Sequence, residues 1–208
     1  MNQGSTWGAA VGVSCEEITL VHAYKNGDGD AFEQLVKRYD SRLLRIAQHI
    51  THNREDAQDA VQEAFLKAFR NSNNFCEDSL FSTWLIRITV NESLMKLRKQ
   101  CPIKEIAASD IQEGGSFQFV VADWAPNPEE LYTSGELRDI LRDELQKLQP
   151  TLRVVFVLRD IEEMSTHETA EILQLTTVAV KSRLCRARMQ LSQRLTRYFR
   201  LVATASRS

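Results

Sequence analysis

Proline and glycine are scarce in this 208-residue chain, at four and eight residues, and neither interrupts its long periodic segments. Both punctuate turns, so their scarcity predicts long helices rather than many short strands. Cysteine is sparse as well. Cys15, Cys76, Cys101 and Cys185 lie far apart, in neither C-x-x-C nor Cys/His ligand spacing, which argues against a zinc site. A chain of this length buries real cores without a metal or disulfide scaffold, so reduced thiols are expected. Long apolar runs are absent too. Runs such as Val154–Leu158 are only a few residues long, far short of a membrane span. The stretch from Ala9 to Cys15 faintly resembles a secretory or lipoprotein signal. The first fifteen residues hold no Lys or Arg and no long apolar core, so a signal is not expected. These absences predict a soluble cytoplasmic protein without membrane insertion.

No charge dominates: 26 Lys and Arg face 28 Asp and Glu, for a net charge of -2. Bulk charge therefore predicts no polyanion binding, but its distribution differs. Residues 101–135 carry one base and six acids, whereas everything after Glu171 is free of acids and holds eight bases. A basic C-terminal block behind an acidic linker is the asymmetry of a nucleic-acid-binding end.

Apolar residues recur every three or four positions at Phe32, Leu35, Val36, Tyr39, Leu43, Ile46, Ala47 and Ile50, one face of a helix from Asp30 to Ile50. The turn before it, Lys25 to Asp30, supplies a capping Asp. A second helix starts near Asn53, whose side chain can cap it while Glu55 and Asp56 suit its positive end. Its stripe is Ala57, Ala60, Val61, Ala64, Phe65 and Ala68. After a polar break from Asn71 to Asp78, a third helix is predicted from about Ser79 to Lys99. Its interior carries Trp84, Leu85, Ile88 and Leu94. Residues 101–126 lack a sustained period and form a linker, although Phe117, Phe119, Val120, Val121 and Trp124 are apolar for one. Asn127, Pro128, Glu129 and Glu130 are a strong helix start. Further helical patterns end at Pro150, run from Leu152 to Asp160, from Ser165 to Leu173, and from Thr176 to Arg200. His49 and His52 read as helix-end residues. The expected fold is all-α: two small helical domains, 20–100 and 127–200, joined by the linker, with tails at 1–19 and 201–208.

The last two helices carry the most specific signal. Small Ala170 sits where a second helix must cross closely, a very short turn follows, and Thr176 can cap the next helix. Val180, Leu184 and Leu191 then face inward. This is the logic of a helix-turn-helix, whose second helix lies in the major groove. Its outward face carries Lys181, Ser182, Arg183, Arg186 and Arg188, able to donate to guanine or neutralise phosphates. The competing reading is a solvated basic face.

With Val180-Lys181-Ser182-Arg183-Leu184-Cys185-Arg186-Ala187-Arg188 the chain resembles the sigma-70 family, and within it the two-domain extracytoplasmic-function (ECF) sigma factors. The match there extends from Leu148 to Arg188. Ala31-Phe32, the stretch from Ala57 to Phe65, and the stretch from Phe81 to Asn91 independently resemble conserved region 2 of that family. The resemblance covers roughly residues 20–100 and 127–198. It implies a specificity subunit of RNA polymerase. Region 2 would hold the core enzyme and open the promoter's -10 element, region 4 would read the -35 element, and an anti-sigma factor would hold the protein until released.

The resemblance assigns site residues. Thr177, Lys181, Ser182, Arg183, Cys185, Arg186 and Arg188 are the candidates for the -35 element. Asn73, Asn74, Phe75, Ser79, Trp84, Arg87, Asn91, Lys96 and Arg98 are those for the separated -10 strand. An unpaired base needs an aromatic wall and polar partners for its edge, which Asn73, Asn74, Phe75 and Ser79 could supply. Trp84 and Asn91 are two helical turns apart and share a face. Trp84 reads equally well as a core anchor. Asp59, Gln62, Glu63 and Phe65 are the candidates for the clamp helices of the polymerase's largest subunit, with Phe65 alone reading rather as core.

Gln174 stands where the family often has a turn glycine, so it must adopt another turn or a left-handed conformation at some cost. Cys185 and Lys181 sit at specificity positions, which leaves the -35 preference open. Cys76 and Cys185 make a redox switch conceivable without a basic flank to activate either thiol. No nucleophile–base pair, phosphate loop or metal cluster is visible. The sequence therefore predicts no catalysis, no cofactor, no metal and no small-molecule substrate. Two rivals remain: a stand-alone helix-turn-helix regulator, and a helical adaptor that binds only proteins.

Overall fold

The computed structural model describes residues 15–72, 75, 80–100 and 134–205. Eight α-helices make up almost all of this. They are α1 (Cys15–Lys25), α2 (Gly29–Thr51), α3 (Arg54–Arg70), α4 (Phe81–Gln100), α5 (Ser134–Gln146), α6 (Pro150–Phe156), α7 (Thr166–Leu173) and α8 (Thr177–Ala205), with a π turn at Val157–Ile161 after α6. The expected linker and the helix start at Asn127 lie outside the described residues.

Capping sets the boundaries in the first domain. Asp28 accepts from the amides of Asp30 and Ala31 to start α2, and Asn53 accepts from those of Glu55 and Asp56 to start α3, as expected. Such caps contribute about 1 kcal/mol each. The predicted stripe of α2 is the core: Leu35, Leu43, Ile46 and Ile50 are fully buried. Ala57, Ala60, Ala64 and Ala68 give α3 a smooth face that lies close against α2 and α4. Helix α1 begins within the segment whose pattern reads as a tail. Its apolar residues do not line one face, yet Val21 and Tyr24 are buried against α2. The Tyr39 hydroxyl donates to Glu17, and that of Tyr24 to the Ala68 carbonyl.

The second domain wraps α5, α6 and α7 around α8. The helix expected from Leu152 to Asp160 is α-helical only through Phe156. It then widens to the π turn, where the Glu162 amide donates to the Val157 carbonyl at 2.9 Å. Glu163 follows in a left-handed conformation, φ 56. Ser165 and Glu168 form a reciprocal capping box on α7. Gln174 ends α7 left-handed, at φ 53 and ψ 45, the conformation a glycine adopts without strain. The expected cap by Thr176 is present, its hydroxyl accepting from the Ala179 amide at 3.1 Å.

The domains also pack on each other. Helix α7 lies against α4, while α5, α6 and the π turn lie against α2. Val154, Leu158, Met164 and Ile172 join the apolar core of the first domain. His49 and His52 sit at the α2 end of this contact, as helix-end residues. His52 caps α2 left-handed, φ 55. Burial, then the positive charge of Arg153 and of His49, push its pKa down to about 4. Native His52 is therefore neutral where the unfolded side chain, near 6.5, takes up a proton. The unfolded state binds more protons between those values, so this group's contribution is full above pH ~6.5 and is lost as pH falls toward ~4. Urea unfolding across that window should show stability falling with acid. His52→Asn, which suits the left-handed cap without titrating, should flatten the profile; an unchanged slope would remove His52 as its source.

Candidate nucleic-acid interface

The helix-turn-helix is α7, the turn at Gln174–Thr176, and α8. Val180, Leu184, Ala187 and Leu191 are buried and anchor one side of α8. On its first two turns Thr177, Val178 and Lys181 are exposed, while Ser182, Arg183, Cys185 and Arg186 are half-buried along its flanks. No acid occupies the first turn, so the positive end of the helix dipole is not neutralised locally. Cys185 is a free thiol. Arg188 is turned away from this face: its guanidinium forks onto Asp160 of the π turn, Nη2 to Oδ1 at 2.6 Å and Nε to Oδ2 at 2.8 Å. Sequence reasoning missed Val178, which at 74% is the most exposed of the large hydrophobic side chains among the described residues. The available signal is its phase, three residues before Lys181 and off the buried stripe of α8.

In the first domain, Asn73, Asn74, Ser79 and Cys76 lie outside the described residues. Phe75 and Trp84 are both buried, with ring centroids 5.4 Å apart, and Phe81 lies 5.5 and 5.8 Å from them. In this arrangement Trp84 is a core anchor, and neither ring offers a face to a base. Asn91, two turns on, is exposed, so the two share a helical phase but not an environment. Arg98 is exposed and Arg87 half-buried. Lys96 Nζ lies 2.8 Å from Asp59 Oδ2, bridging α4 to α3. This joins a residue assigned to DNA with one assigned to the polymerase. Surface pairs of this kind contribute about 0–1 kcal/mol and exchange partners readily.

Gln62 and Glu63 are exposed beside Asp59 on the outer side of α3. Phe65 packs inward, edge-on to Phe32 with centroids 6.4 Å apart. Two further residues extend the outer row: Leu66 is 45% and Phe69 56% exposed. Asp59, Gln62, Leu66 and Phe69 follow one another at spacings of three and four, so acid, amide and apolar groups share one face. That spacing is legible in the sequence. The sequence reading takes the alanine stripe and the polar residues of this helix and leaves Leu66 and Phe69 unassigned.

A third cluster was invisible to sequence reasoning. Glu162 sits between Arg42 and Arg45 of α2, and Arg153 reaches from α6 to the Ile50 carbonyl at 2.7 Å. These partners are more than a hundred residues apart, and no local pattern couples them. Among the described residues, no group of three or more His, Cys, Asp or Glu could hold a metal ion. None of the described helices is long and apolar enough to cross a membrane.

Comparison with known proteins follows the same two blocks. Residues 35–101 match Sigma-70 region 2, and residues 138–191 match Sigma-70 region 4. The chain is 32% identical to the RNA polymerase sigma-H factor of Pseudomonas aeruginosa, over 86% of this chain and 94% of that one. It is 35% identical to the ECF RNA polymerase sigma-E factor of Escherichia coli, over 83% and 92%. Among solved structures, CnrH in complex with the cytosolic domain of CnrY superposes with a TM-score of 0.62 at 26% identity, covering 86% of this chain and 97% of that one. Two region matches in the expected order, and relatives matched along most of their length, show that the chain belongs to the sigma-70 family, as an ECF-type RNA polymerase sigma factor.

Proposed function

We propose that the chain docks on the RNA polymerase core through the outer face of α3 and reads a promoter at two places. The single observation that carries this reading is α8, a helix held on one side by Val180, Leu184, Ala187 and Leu191 and bare and acid-free on the other. In this reading Thr177, Lys181, Ser182, Arg183, Cys185 and Arg186 face the -35 element in the major groove, and Val178 supplies an apolar contact of the kind a thymine methyl accepts. Arg188 serves that surface through its pair with Asp160, or directly once that pair exchanges. Asn73, Asn74, Phe75, Ser79, Trp84, Arg87, Asn91, Lys96 and Arg98 serve the separated -10 strand. For Phe75 and Trp84 this requires their cluster to open, and stacking at about 1–3 kcal/mol per base is a drive of useful size.

Asp59, Gln62 and Glu63 with Leu66 and Phe69 form the polymerase-docking face, and Phe65 holds that face from beneath. Residues 20–100 and 127–200 act as the two working units, with 101–126 as the linker and 1–19 and 201–208 as flanking segments, of which α1 from Cys15 belongs to the first unit. The protein works in the cytoplasm, by binding and without catalysis. An anti-sigma factor is the natural controller of such a chain, as in the family at large. A stand-alone regulator would need none of the α3 face.

The reading is tested by transcription in vitro from a promoter library with purified core enzyme. Addition of the chain should produce new, discrete start sites, and their absence on every template would contradict it. Lys181→Ala with Arg186→Ala should lower promoter-complex formation by roughly tenfold or more, since a good base contact is worth about 1–3 kcal/mol. The same variant should bind core normally; an adaptor would keep its activity. Conversely, Phe69→Ala with Gln62→Ala should weaken core binding, measured by titration of labelled protein, by about 2 kcal/mol or more if they lie at the centre of the contact. Normal affinity would remove this face from the interface. Replacing each -35 thymine singly by deoxyuridine deletes only its methyl. One such replacement should weaken the wild-type complex, with Val178→Ala insensitive to it; equal sensitivity of both proteins would exclude the Val178 contact.

A further inference from the structure

The contact between the two domains combines an apolar part, Val154, Leu158, Met164 and Ile172 on the first domain's core, with charged groups that a permanent interface has little reason to bury. The π turn, followed by left-handed Glu163 at φ 56, directs Glu162 out of the second domain and onto α2. Its side chain is 2% exposed there, with Arg45 Nε at 2.7 Å from Oε1, Arg45 Nη2 at 3.0 Å from Oε2, and Arg42 Nε at 3.0 Å from Oε2. Burial pushes this carboxyl up, but the hydrogen bonds and charges of Arg45 and Arg42 outweigh it and hold its pKa below the ordinary value. The carboxylate is therefore ionised at neutral pH. Arg153 spans the same domain contact at the C-terminal end of α2. It donates to the carbonyls of Leu145, Gln146 and Leu148 at the end of α5, and to that of Ile50 at the end of α2. One guanidinium thus serves the C-terminal ends of helices from both domains, where backbone carbonyls lack partners. The carboxylate is buried, while the Arg42 and Arg45 side chains stay 34% and 54% exposed. Such a pairing adds little net stability over an apolar contact, but removing the arginines strands a buried charge.

That arrangement is incompatible with reading both promoter elements. A folded body of this length has a radius of gyration of about 17 Å, so it is roughly 45 Å across. Elements named -35 and -10 are about 25 base pairs apart, which is roughly 85 Å at ~3.4 Å per step. The closed pair therefore cannot touch both. Residues 101–133 join the domains, and at about 3.3 Å per residue a segment of that length can reach roughly 100 Å.

We propose that Glu162, gripped by Arg42 and Arg45, is an intramolecular latch that keeps the free chain closed, and that engagement with the polymerase must break it. The latch explains why a protein that must act extended carries a complete interface between its own halves. It rests on the promoter-reading function above, since only that function requires the halves to separate. In the closed state the competent, open form is a minor species, and apparent affinity for the core falls by its fraction.

The test uses the full chain. Glu162→Arg places three like charges together and should raise the radius of gyration measured by small-angle scattering. It should also reduce the concentration needed to half-saturate core, on the order of tenfold if the closed form holds nine molecules in ten. Arg42→Glu with Arg45→Glu in the Glu162→Arg background reverses the pair and should restore both the compact size and the wild-type core requirement. The milder Glu162→Gln should fall between, and circular dichroism checks that all variants stay helical. A Glu162→Arg protein as compact as wild type overturns the latch, as does an opened protein with unchanged core requirement, or a charge reversal that restores neither. If Glu162→Arg loses its helices, Glu162→Gln and the reversed pair decide by the same two readouts. If wild-type protein with core starts no transcript, the promoter reading falls, while scattering still judges the latch.

Discussion

A helix can enter the major groove only if one side of it is held and the other left bare, and α8 is built to that constraint. Val180, Leu184, Ala187 and Leu191 are buried at spacings of three and four. The left-handed Gln174 and the Thr176 cap fix where the helix begins. The absence of acids after Glu171 leaves its open side basic. The rest of the second domain supports this placement: the capping box sets the start of α7, and Asp160 takes up Arg188 so that one arginine is oriented by its own domain. A chain with net charge -2 thereby carries one concentrated basic surface without being basic overall.

Much of this was legible in the sequence because it is local. Caps such as Asp28, Asn53 and Thr176, and the periodic stripes of α2, α3 and α8, are decided within a few residues and appear where the pattern puts them. The illegible parts depend on distant partners. Helix α1 lacks a one-sided pattern and is held by Tyr39 and the core of α2. The π turn inserts its extra residue where periodicity alone predicts an unbroken helix. Trp84 reads as either base platform or core anchor, and its helical phase does not reveal the buried cluster it forms with Phe75 and Phe81. The spacing from Asp59 through Gln62 to Leu66 and Phe69 is readable, but that the two apolar side chains stay exposed follows only from how α3 packs. The Glu162 cluster joins residues with no sequence relation at all.

Two modest surfaces on separate domains make sense only when something larger sets their distance. Each contact with DNA is weak alone, and fixing the separation converts the second into an intramolecular event with a high effective concentration. The same logic gives the closed arrangement its role. When Arg42, Arg45 and Arg153 hold the domains together, the spacing is wrong for a promoter, and affinity for DNA is spent only in the right complex.

The most direct measurement of this division of labour is promoter activity against spacer length. Core enzyme with this chain should be assayed on templates whose -35 and -10 elements are moved apart or together one base pair at a time. About half a helical turn, roughly five base pairs, carries one element to the opposite side of the duplex. The account predicts a sharp optimum, with activity collapsing within a few base pairs on either side. Activity that is indifferent to spacing would contradict it, because the two surfaces would then not be acting at one fixed separation.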